Sequence, residues 1–292
     1  MQKKHIQIRE NIPLIPYSTL RIGGEARFLA EAYSIEQMQQ LFCFAKKLSI
    51  PLCIIGKGSN TLFDDRGYSG IIIINKMKKR ILRDRSLYVE GGYSFSRLGH
   101  EMIKLGFSGL EFAVGIPGSV GGAVYMNAGA YGCATEDILE SIHFLHSSGE
   151  TQYWQRKDLE FGYRYSSLQK LSGSILSATF TLSKQDINSI DLQKRNMRQR
   201  ILSQPYKENS CGCIFRNPPG FTAGKIIDMC GLKGISIGDA VVSEVHANFI
   251  INRGSATSSD VLKLIQLIQS CALARFDCTL QPEIRYVPYE PF

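Results

Sequence analysis

The 292-residue chain holds no stretch approaching the roughly 20 consecutive apolar residues that a bilayer-spanning helix requires, and residues 1–20 lack the continuous apolar core of a signal peptide. A soluble, cytoplasmic protein with no membrane partner is the expectation. Its five histidines show no metal-ligand spacing, and His143 and His146, three apart on a predicted strand, face opposite sides. No metal is expected. The basic stretches 76–85 and 194–200 lack the interleaved aromatics of a base-stacking platform, so solvated turn and helix faces account for them better than nucleic acid does. No Gly-Lys-Ser/Thr closes a glycine loop and no dinucleotide-fold glycine pattern occurs, which argues against a Walker loop and a doubly wound nucleotide domain. Internal repeats and low-complexity segments are absent as well.

What is there is an ordinary globular composition, 44% hydrophobic and 21% charged, in a chain long enough for two or three modest cores. Thirty-four Lys and Arg against 26 Asp and Glu give a net charge of +8, which draws in polyanions such as nucleotides and diphosphate-linked sugars without choosing among them. Several of the eight cysteines sit inside apolar segments, so reduced thiols are expected rather than a disulfide framework.

Ser34-Ile35-Glu36-Gln37 reads as a capping box opening a helix over 35–48, with Met38, Leu41, Phe42, Ala45 and Leu48 at helical spacing. Short buried strands are predicted over 51–55 and 70–74, making the first 75 residues βαβ-like. Ser94 caps a helix through Leu98, Met102 and Leu105 that Gly106 stops. Residues 141–182 alternate in short runs separated by turn residues and read as strand-rich. A polar helical stretch over 186–203, closed by Pro205, reads as a connector. Beyond it lie a helix over 223–230 ended by Gly231, another over 259–274, and strands near 247–251 and 283–287. Mixed elements without a regular βα repeat predict an α+β protein in three parts, 1–75, 76–205 and 206–292.

Two glycine clusters are the first candidates for chemistry. Gly56-Lys57-Gly58-Ser59-Asn60 follows a predicted strand, where backbone N–H groups can hold a diphosphate, although a plain strand-to-strand turn reads equally well. Gly115-Ile116-Pro117-Gly118-Ser119-Val120-Gly121-Gly122-Ala123 forfeits so much side-chain packing that a close-lying ligand is the natural reason. Together they suit one long cofactor with a central diphosphate, the shape of FAD. Cys211-Gly212-Cys213 has one residue between its thiols rather than two, and taken alone it reads as two small buried side chains at a glycine turn. Glu283, an acid entering an otherwise apolar strand, reads alone as an exposed edge position.

Further runs join these: Thr19-Leu20-Arg21-Ile22-Gly23-Gly24, Asn127-Ala128-Gly129-Ala130-Tyr131-Gly132, Phe161-Gly162-Tyr163-Arg164-Tyr165-Ser166, Ile214-Phe215-Arg216-Asn217-Pro218, Gly231-Leu232-Lys233-Gly234, His246-Ala247-Asn248-Phe249 and Pro282-Glu283-Ile284-Arg285. In this order the chain resembles the UDP-N-acetylenolpyruvoylglucosamine reductase family across nearly its whole length, in the shorter, second type that lacks an inserted segment. The resemblance implies a two-part FAD-binding scaffold of the vanillyl-alcohol-oxidase/PCMH type plus a C-terminal α+β substrate domain. It implies non-covalent FAD, held by Gly56, Lys57, Gly58, Ser59, Asn60, Gly115, Pro117, Gly118, Ser119 and Gly122. It also implies NADPH as co-substrate, and reduction of UDP-N-acetylglucosamine enolpyruvate to UDP-N-acetylmuramate for peptidoglycan by a monomer.

By matching position, Arg164 and Glu283 would stabilise the enolic intermediate, Arg164 by charge and Glu283 as a hydrogen-bonding or acidic partner. Cys213 stands where the commoner family residue is a proton-donating serine; a free thiol titrates near pKa ~8.5 and so suits the same task. Tyr163, Arg216, Asn217 and Lys225, from neighbouring motifs, are candidates for holding the substrate. Two other readings remain. One is an oxidase or dehydrogenase on the same FAD scaffold, for which roughly the first 200 residues would need to match. The other is a non-enzymatic nucleotide- or RNA-binding protein, which leaves Arg164 and Glu283 unexplained.

Overall fold

The protein is described by a computed structural model that covers residues 5–184, 195, 198–200 and 202–291. In chain order the strands longer than two residues, with one short strand of unit 2, are β1 (Ile8–Pro13), β2 (Glu25–Ala32), β3 (Leu52–Ile55), β4 (Thr61–Phe63), β5 (Tyr68–Asn75), β6 (Arg80–Arg83), β7 (Ser86–Glu90), β8 (Leu139–His146), β9 (Thr151–Gln155) and β10 (Gly173–Thr181). They continue with β11 (Asn209–Cys213), β12 (Ser236–Ile237), β13 (Ala240–Val242), β14 (Phe249–Asn252) and β15 (Arg285–Val287). The helices used below are α1 (Ile35–Lys47), α2 (Phe95–Lys104), α3 (Val120–Tyr125), α4 (Ala223–Met229) and α5 (Ser258–Phe276). No described helix is long and apolar enough to cross a membrane, and no disulfide links the described cysteines. The connector expected over 186–203 falls largely outside the described residues.

The chain separates into two compact units, each discontinuous in sequence. Unit 1 comprises 1–9, 29–56 and 71–200, and unit 2 comprises 10–28, 57–70 and 201–292. In unit 1, helix α1 starts at Ser34, whose hydroxyl accepts the Gln37 N–H, and buries Met38, Leu41, Phe42 and Ala45. The expected capping box lands one residue early, because the Gln37 side chain accepts from the N–H of Tyr33 at 2.8 Å. Strand β3 pairs in parallel with residues 71–74 of β5, which are buried throughout, as a run of four isoleucines requires.

The strand-rich middle forms a five-stranded sheet of order β9-β8-β10-β7-β6 with antiparallel neighbours. Its core combines Leu87, Val89, Ile142, Phe144, Ala178 and Phe180 with Leu98 and Met102 of α2. Gly106, at φ +79, stops that helix as its position in the sequence predicts.

Unit 2 has a four-stranded sheet of order β11-β14-β13-β12, with α4 and α5 contributing to one core. Helix α5 is capped twice, by the reciprocal box of Thr257 and Asp260 and by Asp65, whose carboxylate accepts the Ser258 N–H at 2.7 Å. A negative charge at that end also meets the helix dipole favourably. Strand β14 begins later than the 247–251 expected, because the chain turns at 246–249, where the Phe249 N–H donates to the His246 carbonyl at 3.0 Å.

Near the C-terminus, β15 pairs in parallel with β4. Asp64 anchors this pairing: buried at 3% exposure, it accepts two bonds from the Arg66 guanidinium at 2.9 and 2.7 Å, one from the Tyr286 hydroxyl and one from the Tyr289 N–H at 3.3 Å. The Arg66 bonds first, then Tyr286, outweigh burial and hold the Asp64 carboxyl well below the usual range. A depressed folded pKa contributes stability that is present above the unfolded value near ~3.9 and lost as pH falls through the folded value. Asp64→Asn is therefore expected to cost about 2 kcal/mol at neutral pH, judged from charge-assisted hydrogen bonds, with the deficit shrinking below about pH 4. Thermal midpoints of both proteins across that pH range check it. A constant difference down to the most acidic point would contradict the assignment.

Candidate active site

Gly56, the first residue of its cluster, meets the second glycine cluster inside unit 1. A Cβ on Gly56 would lie 2.1 Å from the Ser119 hydroxyl oxygen, so only glycine permits this approach of the two chain segments. Ser119 is buried and caps α3, its hydroxyl accepting the Gly122 N–H at 3.3 Å. The run from Gly115 is held through its N–H groups: Gly115 N–H donates to the Ser96 hydroxyl at 2.9 Å, Val120 N–H to the Tyr93 carbonyl at 2.8 Å and Gly121 N–H to the Gly91 carbonyl at 2.8 Å. Gly115 and Gly118 have φ of +80 and +139, values that a side chain would make costly. A surface made of backbone and one small hydroxyl suits the close approach of a diphosphate-bearing cofactor, and in this respect the residues present fit FAD. Residues 57–60 belong to unit 2, where Gly58 packs so tightly that a Cβ would meet the Tyr17 carbonyl oxygen at 1.9 Å.

Arg164, also in unit 1, occupies the tip of a hairpin closed by Gly162 and Tyr165, with a left-handed φ of +55. For a non-glycine residue this conformation costs on the order of 1 kcal/mol, and such strain gathers where a side chain must be aimed. Its guanidinium donates to the Gly129 carbonyl at 3.1 Å and lies 5.1 Å from the Tyr163 ring centre; Tyr163 itself is half exposed. The hairpin is fastened from below. Asn127, 2% exposed, donates to the Gly162 carbonyl at 2.9 Å and to Glu136 at 2.7 Å, and Gln169 donates to the Arg164 carbonyl at 3.2 Å. The sequence singled out Asn127 only as part of a motif; its role shows once residues 127 and 162 are adjacent.

Cys213 and Glu283 come together within unit 2. Strand β11 pairs Ser210 with Ile251 but Cys213 with Phe249, so three steps on one strand oppose two on the other. That extra residue is a β-bulge, and Gly212 supplies its positive φ of +83. In a regular strand Cys211 and Cys213 would share a face; the bulge separates them. Cys211 enters the core with Ile250, at 2% exposure, whereas Cys213 is only partly buried. The expectation of two buried side chains is thus corrected for Cys213, because a bulge turns the second one out.

Burial pushes the Cys211 thiol up to about 12, and the neighbouring Cys213 and Glu283 charges act in the same direction. Cys211 remains an inert thiol at neutral pH. Glu283 precedes β15 and is half-buried rather than at an exposed edge: its N–H donates to the Ile214 carbonyl at 2.7 Å and its carbonyl accepts from the Asn60 side chain at 3.1 Å. One peptide away from Cys213, therefore, the chain is tied directly to Glu283.

The bulge can be tested alone. A Cβ added at Gly212 meets nothing within 4 Å, so the cost of Gly212→Ala is that of the backbone conformation. We expect about 1–2 kcal/mol lower stability in denaturant unfolding, together with reduced turnover as the strand relaxes. An unchanged midpoint would mean that the bulge is not held by Gly212.

The remaining candidates have mixed placements. Arg216 has its guanidinium Nε buried with no partner among the described residues. Asn217 accepts the Ala223 N–H at 3.0 Å and so fastens the loop to the start of α4, and Lys225 is exposed on that helix. Among the described residues there is no group of three or more His, Cys, Asp or Glu side chains placed to hold a metal ion.

Comparison with known proteins gives the family. Residues 204–287 match the family profile of the UDP-N-acetylenolpyruvoylglucosamine reductase C-terminal domain, and residues 26–153 match that of an FAD binding domain. The chain is 48% identical over 283 residues to a UDP-N-acetylenolpyruvoylglucosamine reductase of Chlamydia felis, covering 97% of this chain and 95% of that one. It is 46% identical over 291 residues to the protein of the same description from Protochlamydia amoebophila, again covering 97% and 95%. The crystal structure of UDP-N-acetylenolpyruvylglucosamine reductase from Thermus caldophilus superposes with a TM-score of 0.83 at 32% identity, over 97% of this chain and 99% of that one. The chain therefore belongs to the UDP-N-acetylenolpyruvoylglucosamine reductase family, FAD-containing oxidoreductases of peptidoglycan synthesis.

Proposed function

We propose that the protein uses NADPH to reduce UDP-N-acetylglucosamine enolpyruvate to UDP-N-acetylmuramate, with Arg164, Cys213 and Glu283 as its catalytic residues. The observation that carries this reading is the bulge at Gly212, which turns Cys213 away from the core while the next peptide bonds Glu283. When bound, FAD would supply hydride chemistry for the methylene carbon of the enolpyruvyl group. Charge then develops on the substrate beside its carboxylate, and the chain's own groups must hold that charge and deliver a proton. Arg164 stabilises it through a guanidinium whose planar fork matches a carboxylate or enolate. Cys213 holds a proton at Sγ and gives it to the carbon next to the carboxylate, after which solvent reprotonates the thiolate. Glu283 hydrogen-bonds the substrate's enolic oxygens.

Gly56, Lys57, Gly58, Ser59, Asn60, Gly115, Pro117, Gly118, Ser119 and Gly122 would hold the cofactor, the glycines by letting it approach the backbone closely. Tyr163, Arg216, Asn217 and Lys225 hold the nucleotide sugar. For Arg216 the support is physical, since a buried guanidinium N–H without a partner is costly and a substrate oxygen would satisfy it. The three-part division at 75 and 205, a cytoplasmic location, a monomeric state and the absence of nucleic-acid or membrane partners complete the proposal. Mass spectrometry of the product tests it. A gain of two hydrogens that requires NADPH is expected, and unchanged substrate after prolonged incubation of flavin-loaded protein would refute it.

A further inference from the structure

His246-Ala247-Asn248-Phe249 is a sequence motif to which the catalytic assignment gives no role, and its asparagine is 2% exposed. The Asn248 amide makes a two-way pair with one residue: its Oδ1 accepts the Phe215 N–H at 2.9 Å and its Nδ2 donates to the Phe215 carbonyl at 2.8 Å. Its own carbonyl accepts the Ile214 N–H at 2.8 Å. Three bonds thus fix residues 214 and 215, immediately after Cys213, where the ladder between β11 and β14 has ended. On the other side the same segment takes the Glu283 N–H on the Ile214 carbonyl at 2.7 Å, gives the Arg216 N–H to the Gln281 carbonyl at 2.9 Å, and bridges Phe215 to Pro282.

Residues 213–216 are consequently held between Asn248 and the segment that carries Glu283. A bulged strand end is the least constrained part of a sheet, and a side-chain amide imitating a ladder pair restores the missing constraint. The asparagine is itself oriented, because its N–H donates to His246 Nδ1 at 3.2 Å. Only a planar amide offers a donor and an acceptor at this spacing; aspartate loses the donor and alanine loses both.

We infer that Asn248 is the positioning residue that aims Cys213 and Glu283 at one substrate. The inference rests on the assignment of Cys213 as proton donor. It acts through backbone geometry, so its effect belongs to the step in which the substrate is protonated. Displacement of a catalytic group by about 1 Å is enough to cost on the order of a hundredfold.

Rapid mixing of flavin-loaded enzyme separates flavin reduction by NADPH from flavin reoxidation by UDP-N-acetylglucosamine enolpyruvate. In Asn248→Ala, reoxidation is expected to slow about tenfold to a hundredfold while flavin reduction stays within about twofold of the parent. In a Cys213→Ala background the same substitution slows reoxidation by a clearly smaller factor than it does alone, because one of the two groups it aims is gone. Equal slowing of both half-reactions, or an undiminished effect in that background, overturns the inference. So does reoxidation slowed by Cys213→Ala and untouched by Asn248→Ala. Reoxidation untouched by Cys213→Ala overturns the proton-donor assignment and the inference with it. Should Asn248→Ala fail to retain flavin, Asn248→Asp takes its place with the same expected split, since it keeps its size and the acceptor for the Phe215 N–H.

Discussion

Cys213→Ala is expected to lose about 10²–10⁴-fold of turnover, the range that a positioned general acid contributes, while keeping its FAD. Cys213→Ser is expected to retain measurable turnover, because the hydroxyl can carry the same proton at lower acidity. The structure makes this comparison clean. Cys213 is partly exposed beyond a bulge, so neither substitution opens a cavity in the core. Cys211, by contrast, is buried with a thiol pushed up to about 12 and cannot take over the task at neutral pH. Steady-state rates and flavin absorbance of both variants check the prediction. Equal rates for Cys213→Ala and the parent would remove Cys213 from the mechanism.

The second large effect is expected at Arg164. Arg164→Lys should lower kcat/KM by about 10²–10³-fold, as for the loss of a donor to a developing anion, because a point ammonium cannot reproduce the two-point hold of a guanidinium. The lysine would also give up the bond to the Gly129 carbonyl and the stacking geometry over Tyr163 while inheriting the same strained turn. Stability should change little, since the hairpin is fastened by Asn127 and Gln169 rather than by the Arg164 side chain. Kinetics and thermal unfolding measured together separate these effects. A large fall in the midpoint accompanied by unchanged kinetics would make Arg164 a structural residue only.

How far the sequence carried can be judged from particular elements. Helix α2 was legible because apolar periodicity, the N-cap Ser94 and the stop residue Gly106 agreed, α1 because periodicity and its N-cap did, and α5 from its apolar face alone. The glycine clusters stood out as candidates for ligand-facing backbone, yet nothing local could place Gly56 against Ser119. At Cys211-Gly212-Cys213 the sequence alone favoured two buried thiols. Whether that glycine is a turn or a bulge depends on the register of β14, dozens of residues downstream. Asn248 was hidden for the same reason, since its partner Phe215 is 33 residues away and an amide–backbone pair leaves no periodic signal. The strand at Glu283 began later than expected because its backbone is already committed to Ile214 and Asn60. What escaped, in each case, was a long-range contact rather than a local preference.

The central claim is substrate-dependent reduction, for which Arg164 and Cys213 are the proposed catalytic residues, and its most direct test is NADPH oxidation by the purified, yellow protein with and without UDP-N-acetylglucosamine enolpyruvate. The account predicts oxidation that rises with the enolpyruvyl substrate and stops when it is exhausted. A folded, flavin-loaded protein that consumes NADPH no faster in its presence would contradict it.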